Sequence, residues 1–251
     1  MTDHDMPLQN PASTTLPAGD LGAKFSDFEE AARYALLQRL APAIQHHLIG
    51  KLQSMNMIAA MMERHIQSGD PDLPAIREDC VSLGSVSRTA VTGIMNMMTW
   101  IEPKTASTLK FDAGVTECLG LLGTELRFKG FVIVNQLPSI PVVLSSRALR
   151  SVLSATLLAL SDLSRAPADL VIRAQALPNR VELSIDLRPG AGEAREVQVT
   201  GYRPLTWRDV EVLAIAESVK LTHGQAGAQL TFSLADESVH WSGYPDSEVK
   251  V

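Results

Sequence analysis

The chain has 251 residues, 45% of them hydrophobic and 20% charged, and carries a formal charge of −6. That length allows two modest domains, each with its own core, and the acidic balance gives no reason to expect nucleic-acid binding. No apolar run reaches the length of a membrane span, and Cys80 and Cys118 sit inside apolar helical patterns, as buried free thiols of a reducing cytoplasm would.

Residues 1–24 are polar and rich in proline, and read as a disordered tail with no signal peptide. From Phe25 to about Ser68, Leu37, Leu40, Ile44, Leu48, Leu52, Met55, Ala59, Met62 and Ile66 follow at steps of three and four, the stripe of one long helix. "SGDPDLP" supplies a stop and a restart. A second helix runs to about Ile101 on a near-heptad stripe of Ile76, Cys80, Leu83, Ser87, Ala90, Ile94 and Met97. Residues 25–103 therefore form an antiparallel helical hairpin. One hairpin cannot cover its own stripes, so a homodimer with a four-helix bundle is expected.

After Pro103 the texture changes. "STLKFD" reads as a strand, "AGVTECLGLLGTELRFKG" as a helix closed by Gly130, and "FVIVNQL" and "IPVVLS" as short strands. "SRALRSVLSATLLALSDLS" is a buried helix, and "ADLVIRAQAL" and "RVELSIDLR" alternate as hairpin strands. "TWRDVEVLAIAESVKLTHG" reads as one helix capped by Thr206, and "AQLTFSLA" as a closing strand. Residues 104–235 are thus an α/β sandwich, helices over one face of a mixed sheet, which makes the whole chain α+β. Residues 236–251 read as a second tail.

The stretch "AIQHHLIGKLQSM" places two histidines side by side on the first helix. At about 100° per residue, with Leu37, Leu48 and Met55 marking the apolar direction, His46 points roughly 180° away and His47 roughly 80°. His46 is expected on the outer surface and His47 at the edge of the groove between helices. Gly50 removes bulk one turn on, Arg39 and Lys51 leave the patch mildly basic for an acidic partner, and Pro42 is expected to kink the helix. Adjacent helical histidines point about 100° apart and cannot share a metal, and no CxxC, HExxH, phosphate loop or G-x-S-x-G motif occurs. No metal is expected.

The order of a helical hairpin followed by this α/β domain resembles the core of bacterial two-component histidine kinases, over roughly residues 30 to 235. The carrying residues are Leu213, Ala214, Ile215, Val219, His223 and Gly224 of "LAIAESVKLTHG", the helix "SRALRSVLSATLLAL" in the place of the asparagine box, and His46, Leu48 and Leu52 in the phospho-acceptor box. The resemblance implies that His46 is the phospho-acceptor. His47 stands where the family has an acid that helps accept the imidazole proton.

The groups that hold ATP in the family are missing at the matching positions. Val210, Glu211 and Val212 replace the glycines that let backbone N–H groups approach phosphates. Ala155 and Ala159 replace amide ligands for Mg²⁺, and around Asp186 the adenine-reading motif is broken by Arg188 and Gly190. The expectation is a histidine phosphotransferase working through His46, with His47 as helper and Arg39, Gly50 and Lys51 docking the partner. That partner is a response-regulator receiver domain, which brings its own metal and acidic pocket, and no cofactor is expected. The rivals are a dimeric docking protein without phosphotransfer and a divergent active kinase. His65 and His223 are assigned to structure.

Overall fold

The computed structural model describes residues 18–67, 72–101, 107–190 and 202–234. Of the tail expected at 1–24, residues 1–17 lie outside the described residues, as do the tail expected at 236–251, the turn at 68–71 and the junction at 102–106, whereas residues 18–24 are helical.

Helix α1 spans Ala18–Gln67, starting seven residues before the expected Phe25, and continues unbroken through Pro42. Helix α2 spans Leu73–Ile101. Asp72 caps it, its Oδ1 accepting from the Ala75 amide at 3.0 Å and its carbonyl from the Ile76 amide at 3.0 Å. The two helices are antiparallel neighbours. His65 Nδ1 lies 2.9 Å from Asp79 Oδ2, and the Cys80 thiol lies 3.3 Å from the Met62 thioether. Cys80 is exposed, contrary to expectation, although its thiol reaches α1. Leu52, Ile66, Val81, Met95 and Met98 are exposed on the hairpin as well.

The following elements are β1 (Thr108–Lys110), α3 (Phe111–Phe128), β2 (Phe131–Asn135), β3 (Val143–Ser145), α4 (Ser146–Leu163), β4 (Ala168–Leu177) and β5 (Arg180–Pro189). They match the sequence expectations closely. Gly130, at φ +88°, makes the turn from α3 into β2 that a side chain would strain. The Ser145 hydroxyl accepts from the Ala148 amide at 3.3 Å and caps α4.

The last helix does not run to "HG". Helix α5 spans Trp207–Ala216, Ser218 takes φ 56°, and β6 (Lys220–Gly224) and β7 (Gly227–Ser233) form a hairpin. His223 and Gly224 are therefore strand residues, with His223 opposite Ala228. The left-handed Ser218 ends the helix and turns Val219 inward, so Leu221 pairs with Leu230 across the hairpin.

The main sheet has the order β2-β4-β5-β7-β6, with β2 parallel to β4 and every other pair antiparallel; β1 and β3 pair apart from it. Alternation along β5 buries Val181, Leu183 and Ile185 and leaves Glu182, Ser184 and Asp186 on the more open face. Helix α4 is buried along almost its whole length, as a helix covered on more than one side must be. Its outer cover is α1. Ala32, Ala35, Leu36, Leu40 and Ile44 belong to the same hydrophobic core as Leu149, Leu153, Leu213 and the sheet residues. By packing, the upstream half of α1 belongs to the α/β layer and only its downstream half to the hairpin. Among the described residues, no helix is long and apolar enough to cross a membrane.

Candidate functional site

The face of α1 that carries the histidines is first clamped and then released. Upstream, Arg39 donates from Nη1 to Asp162 Oδ2 at 2.6 Å and from Nη2 to Asp162 Oδ1 at 3.1 Å and Glu125 Oε1 at 2.9 Å. Lys129 Nζ donates to Asp162 Oδ1 at 2.8 Å, and the Leu205 amide to its Oδ2 at 3.0 Å. The side chains of Arg39 and Asp162 are only 3% and 6% exposed. Two cations thus face two carboxylates, and the charges balance where water is excluded. This corrects the expectation for Arg39. It is no part of a basic docking surface, because α3 and α4 cover it. Further upstream, Arg33 Nη2 and Arg147 Nε both donate to Glu217 at 2.5 Å, tying α1 and α4 to the end of α5.

Seven residues after Arg39, on nearly the same helical phase, His46 is exposed, and so is His47. Both line a cleft of about 460 Å³ with Gly50, Lys51 and Ser54 of α1, Ser85, Val86 and Thr89 of α2, and Thr124 of α3. A second cleft of about 470 Å³ shares His47, Lys51 and Thr89 and runs on past Arg88 and Gly93 to Trp100, Glu117 and Leu121. His47 is thus common to both spaces, and His46 stands at one mouth. Partial burial in the cleft, with the charges of Lys51 and His46, pushes the His47 imidazole below the usual histidine range. Burial and these neighbouring charges favour its neutral form.

Gly50 opens the surface as expected, since a Cβ there would meet nothing within 4 Å. Lys51 is less free than its sequence position suggests. A Cβ on Gly93 would lie 2.9 Å from its Cε and 3.0 Å from its Nζ, so the lysine stem lies across α2 in the space that glycine vacates. Ser85, Arg88, Thr89, Gly93 and Thr124 were not singled out from sequence. Gly93 was within reach, because an antiparallel hairpin that pairs His65 with Asp79 sets residue 51 against residue 93.

Two further histidines among the described residues make contacts between elements or side chains. His65 bridges α1 to α2 through Asp79, and His223 stacks on Trp207 at 4.2 Å and reaches Glu211 at 2.9 Å. Cys118 is wholly buried, which pushes its thiol up to about 12 and leaves it unreactive. Among the described residues, no group of three His, Cys, Asp or Glu side chains could hold a metal.

The positions matched to nucleotide groups sit as follows. Ala155 and Ala159 are fully buried in α4, and Val210 is fully buried in α5, where a phosphate loop would need open backbone. Asp186 lies on the sheet face away from Ile185 and takes a hydrogen bond from Arg173 Nη1 at 2.5 Å.

No family model matches the chain, and no curated protein does. Among solved structures it is similar to Acinetobacter baumannii histidine kinase AdeS, with 18% identity over 73% of this chain and 96% of that one, at a TM-score of 0.38. It is also similar to a histidine kinase from Burkholderia phymatum, with 13% identity over 74% of this chain and 98% of that one, at a TM-score of 0.39. A third similar structure is histidine kinase ThkA in complex with response regulator protein TrrA, with 11% identity over 84% of this chain and 66% of that one, at a TM-score of 0.38.

Proposed function

We propose that this chain is a dimeric histidine phosphotransferase that carries phosphoryl groups to or from aspartates of response-regulator receiver domains on His46, without drawing them from ATP. One observation carries the reading: an exposed histidine stands on a clamped helix and lines a cleft beside a second histidine whose neutral form is favoured. Attack on phosphorus needs an unprotonated ring nitrogen, a rigid support and room for the donor. Arg39 and its carboxylates supply the support, and Gly50 the room. In this reading His47 or water takes the proton that the imidazole sheds once its other nitrogen bears phosphorus.

The buried alanines of α4 and the outward Asp186 support a phosphoryl source other than ATP. The exposed Leu52, Val81, Met95 and Met98 support a second copy covering the hairpin. Incubation with a phosphorylated receiver domain should move acid-labile label onto His46, and His46→Ala should abolish it. Label retained in His46→Ala removes this reading, and receiver binding without any label favours a docking protein. Calorimetry with ATP and Mg²⁺ should show no heat of binding.

A further inference from the structure

Lys51 is a half-buried cation without a carboxylate partner among the described residues, and the rest of its surroundings suits an anion. Its stem is laid into the cleft by Gly93. Arg88, also without an acidic partner among the described residues, lines the adjoining space, and Ser54, Ser85 and Thr89 bring hydroxyls. Glu117, the acid that lines the adjoining cleft, is held by Arg150 at 2.7 and 3.0 Å, so its charge is already met. The upstream half of the same helix meets Arg39 with Asp162 and Glu125; here no carboxylate among the described residues meets Lys51. A half-buried ammonium with no acidic partner among the described residues can meet a multiply charged oxyanion by charge-assisted hydrogen bonds.

We infer that Lys51 is a positioning residue that receives the phosphoryl group while His46 carries it, with Arg88 and the Ser85 and Thr89 hydroxyls completing an anion-binding cleft. The inference rests on the phosphotransfer reading and gives Lys51 a role different from partner docking. In the step, the P–O bond of the receiver's aspartyl phosphate breaks and its electron pair stays on the carboxylate. A P–N bond forms to an unprotonated ring nitrogen of His46. The proton on the other ring nitrogen then leaves to His47 or water. The phosphoryl oxygens turn towards Lys51 during the transfer, and the ammonium offsets their charge.

The test uses the whole chain and a small phosphoryl donor, phosphoramidate, so that receiver docking plays no part. Label on His46 is mapped by mass spectrometry, and its rate is compared in wild type, Lys51→Met and Lys51→Arg at low and high salt. Loss of one charge-assisted contact should slow labelling by about ten- to a hundred-fold in Lys51→Met, with rescue by arginine and a weaker salt dependence in the methionine variant. Labelling of Lys51→Met at the wild-type rate overturns the inference and leaves the phosphotransfer reading standing. Absence of label from wild-type His46, under conditions that label free imidazole, overturns the phosphotransfer reading and the inference together. A parallel titration with inorganic phosphate separates a free anion from a carried one. Saturable, Lys51-dependent shifts of the His47 imidazole resonances without label on His46 would give the cleft to free phosphate and overturn the role at His46.

Discussion

The two halves of α1 are one helix with the same texture, yet their surroundings are opposite. Upstream of Pro42, Leu36, Arg39 and Leu40 are buried against the α/β layer. Downstream, His46, His47, Ile49 and Leu52 are open. Arg39 and His46 share a helical phase to within about 20°. What separates them is only that α3 and α4 reach one and stop short of the other. The contrast shows that phase tells which side a residue is on, and never what lies on that side.

The largest effect that would break or sharpen this contrast is a pair of substitutions on the one phase. Arg39→Met leaves Asp162 and Glu125 with Lys129 alone, and should cost about 3–5 kcal/mol, the range for breaking a buried ion pair. His46→Ala should stay within about 0.5 kcal/mol. Urea unfolding followed by circular dichroism measures both, and equal costs would erase the distinction between the halves.

A smaller effect tests what anchors the upstream half. Helix α5, which packs on it, is capped at its start by Asp209, whose carboxylate accepts from the Thr206 amide and hydroxyl and from Arg203 at 2.7 to 2.9 Å. Burial alone would raise this carboxyl, but Arg203 and Thr206 outweigh it and hold it at about 2, below the ordinary 3.8. The folded chain therefore gives up this proton more readily than the unfolded one. Its stabilisation is complete well above pH 3.8 and is lost as pH falls towards 2. Asp209→Asn should cost about 1 kcal/mol near neutrality and flatten the urea midpoint across that acid window. Amide exchange should quicken around Leu36 and not around Met55.

The smallest effect concerns two glycines of the downstream half. Gly50→Ala meets open space and should stabilise the helix by up to about 1 kcal/mol. Gly93→Ala should bring less, because its methyl must displace Lys51. Thermal unfolding of the two variants checks the difference, and equal gains would mean that Lys51 is not held there.

Much of this fold was legible because strands and helices differ in period. The alternation in "RVELSIDLR" and the steps of three and four in the hairpin placed β5, α1 and α2. The end of α5 was not legible. "LAIAESVKLTHG" carries aliphatic residues at helical spacing, and the one residue that overrules them is Ser218, whose φ of 56° no spacing reveals. The site was read in part. His46 and His47 were placed by phase, and Gly50 stands open as expected. Arg39 was misplaced for the reason the contrast gives, since its cover comes from residues 86 and 123 positions away along the chain.

The clamp at Arg39 also fixes an angle. A helix transmits rotation about its axis from one turn to the next, and seven residues are two turns. His46 cannot swing around that axis towards an incoming group unless Arg39 swings with it, out of the carboxylates of Asp162 and Glu125. The α/β layer thus acts on the histidine as a dial stop: it sets the bearing that His46 presents to solvent, and on the phosphotransfer reading proposed above a donor that needs a different bearing must first unseat a buried ion pair.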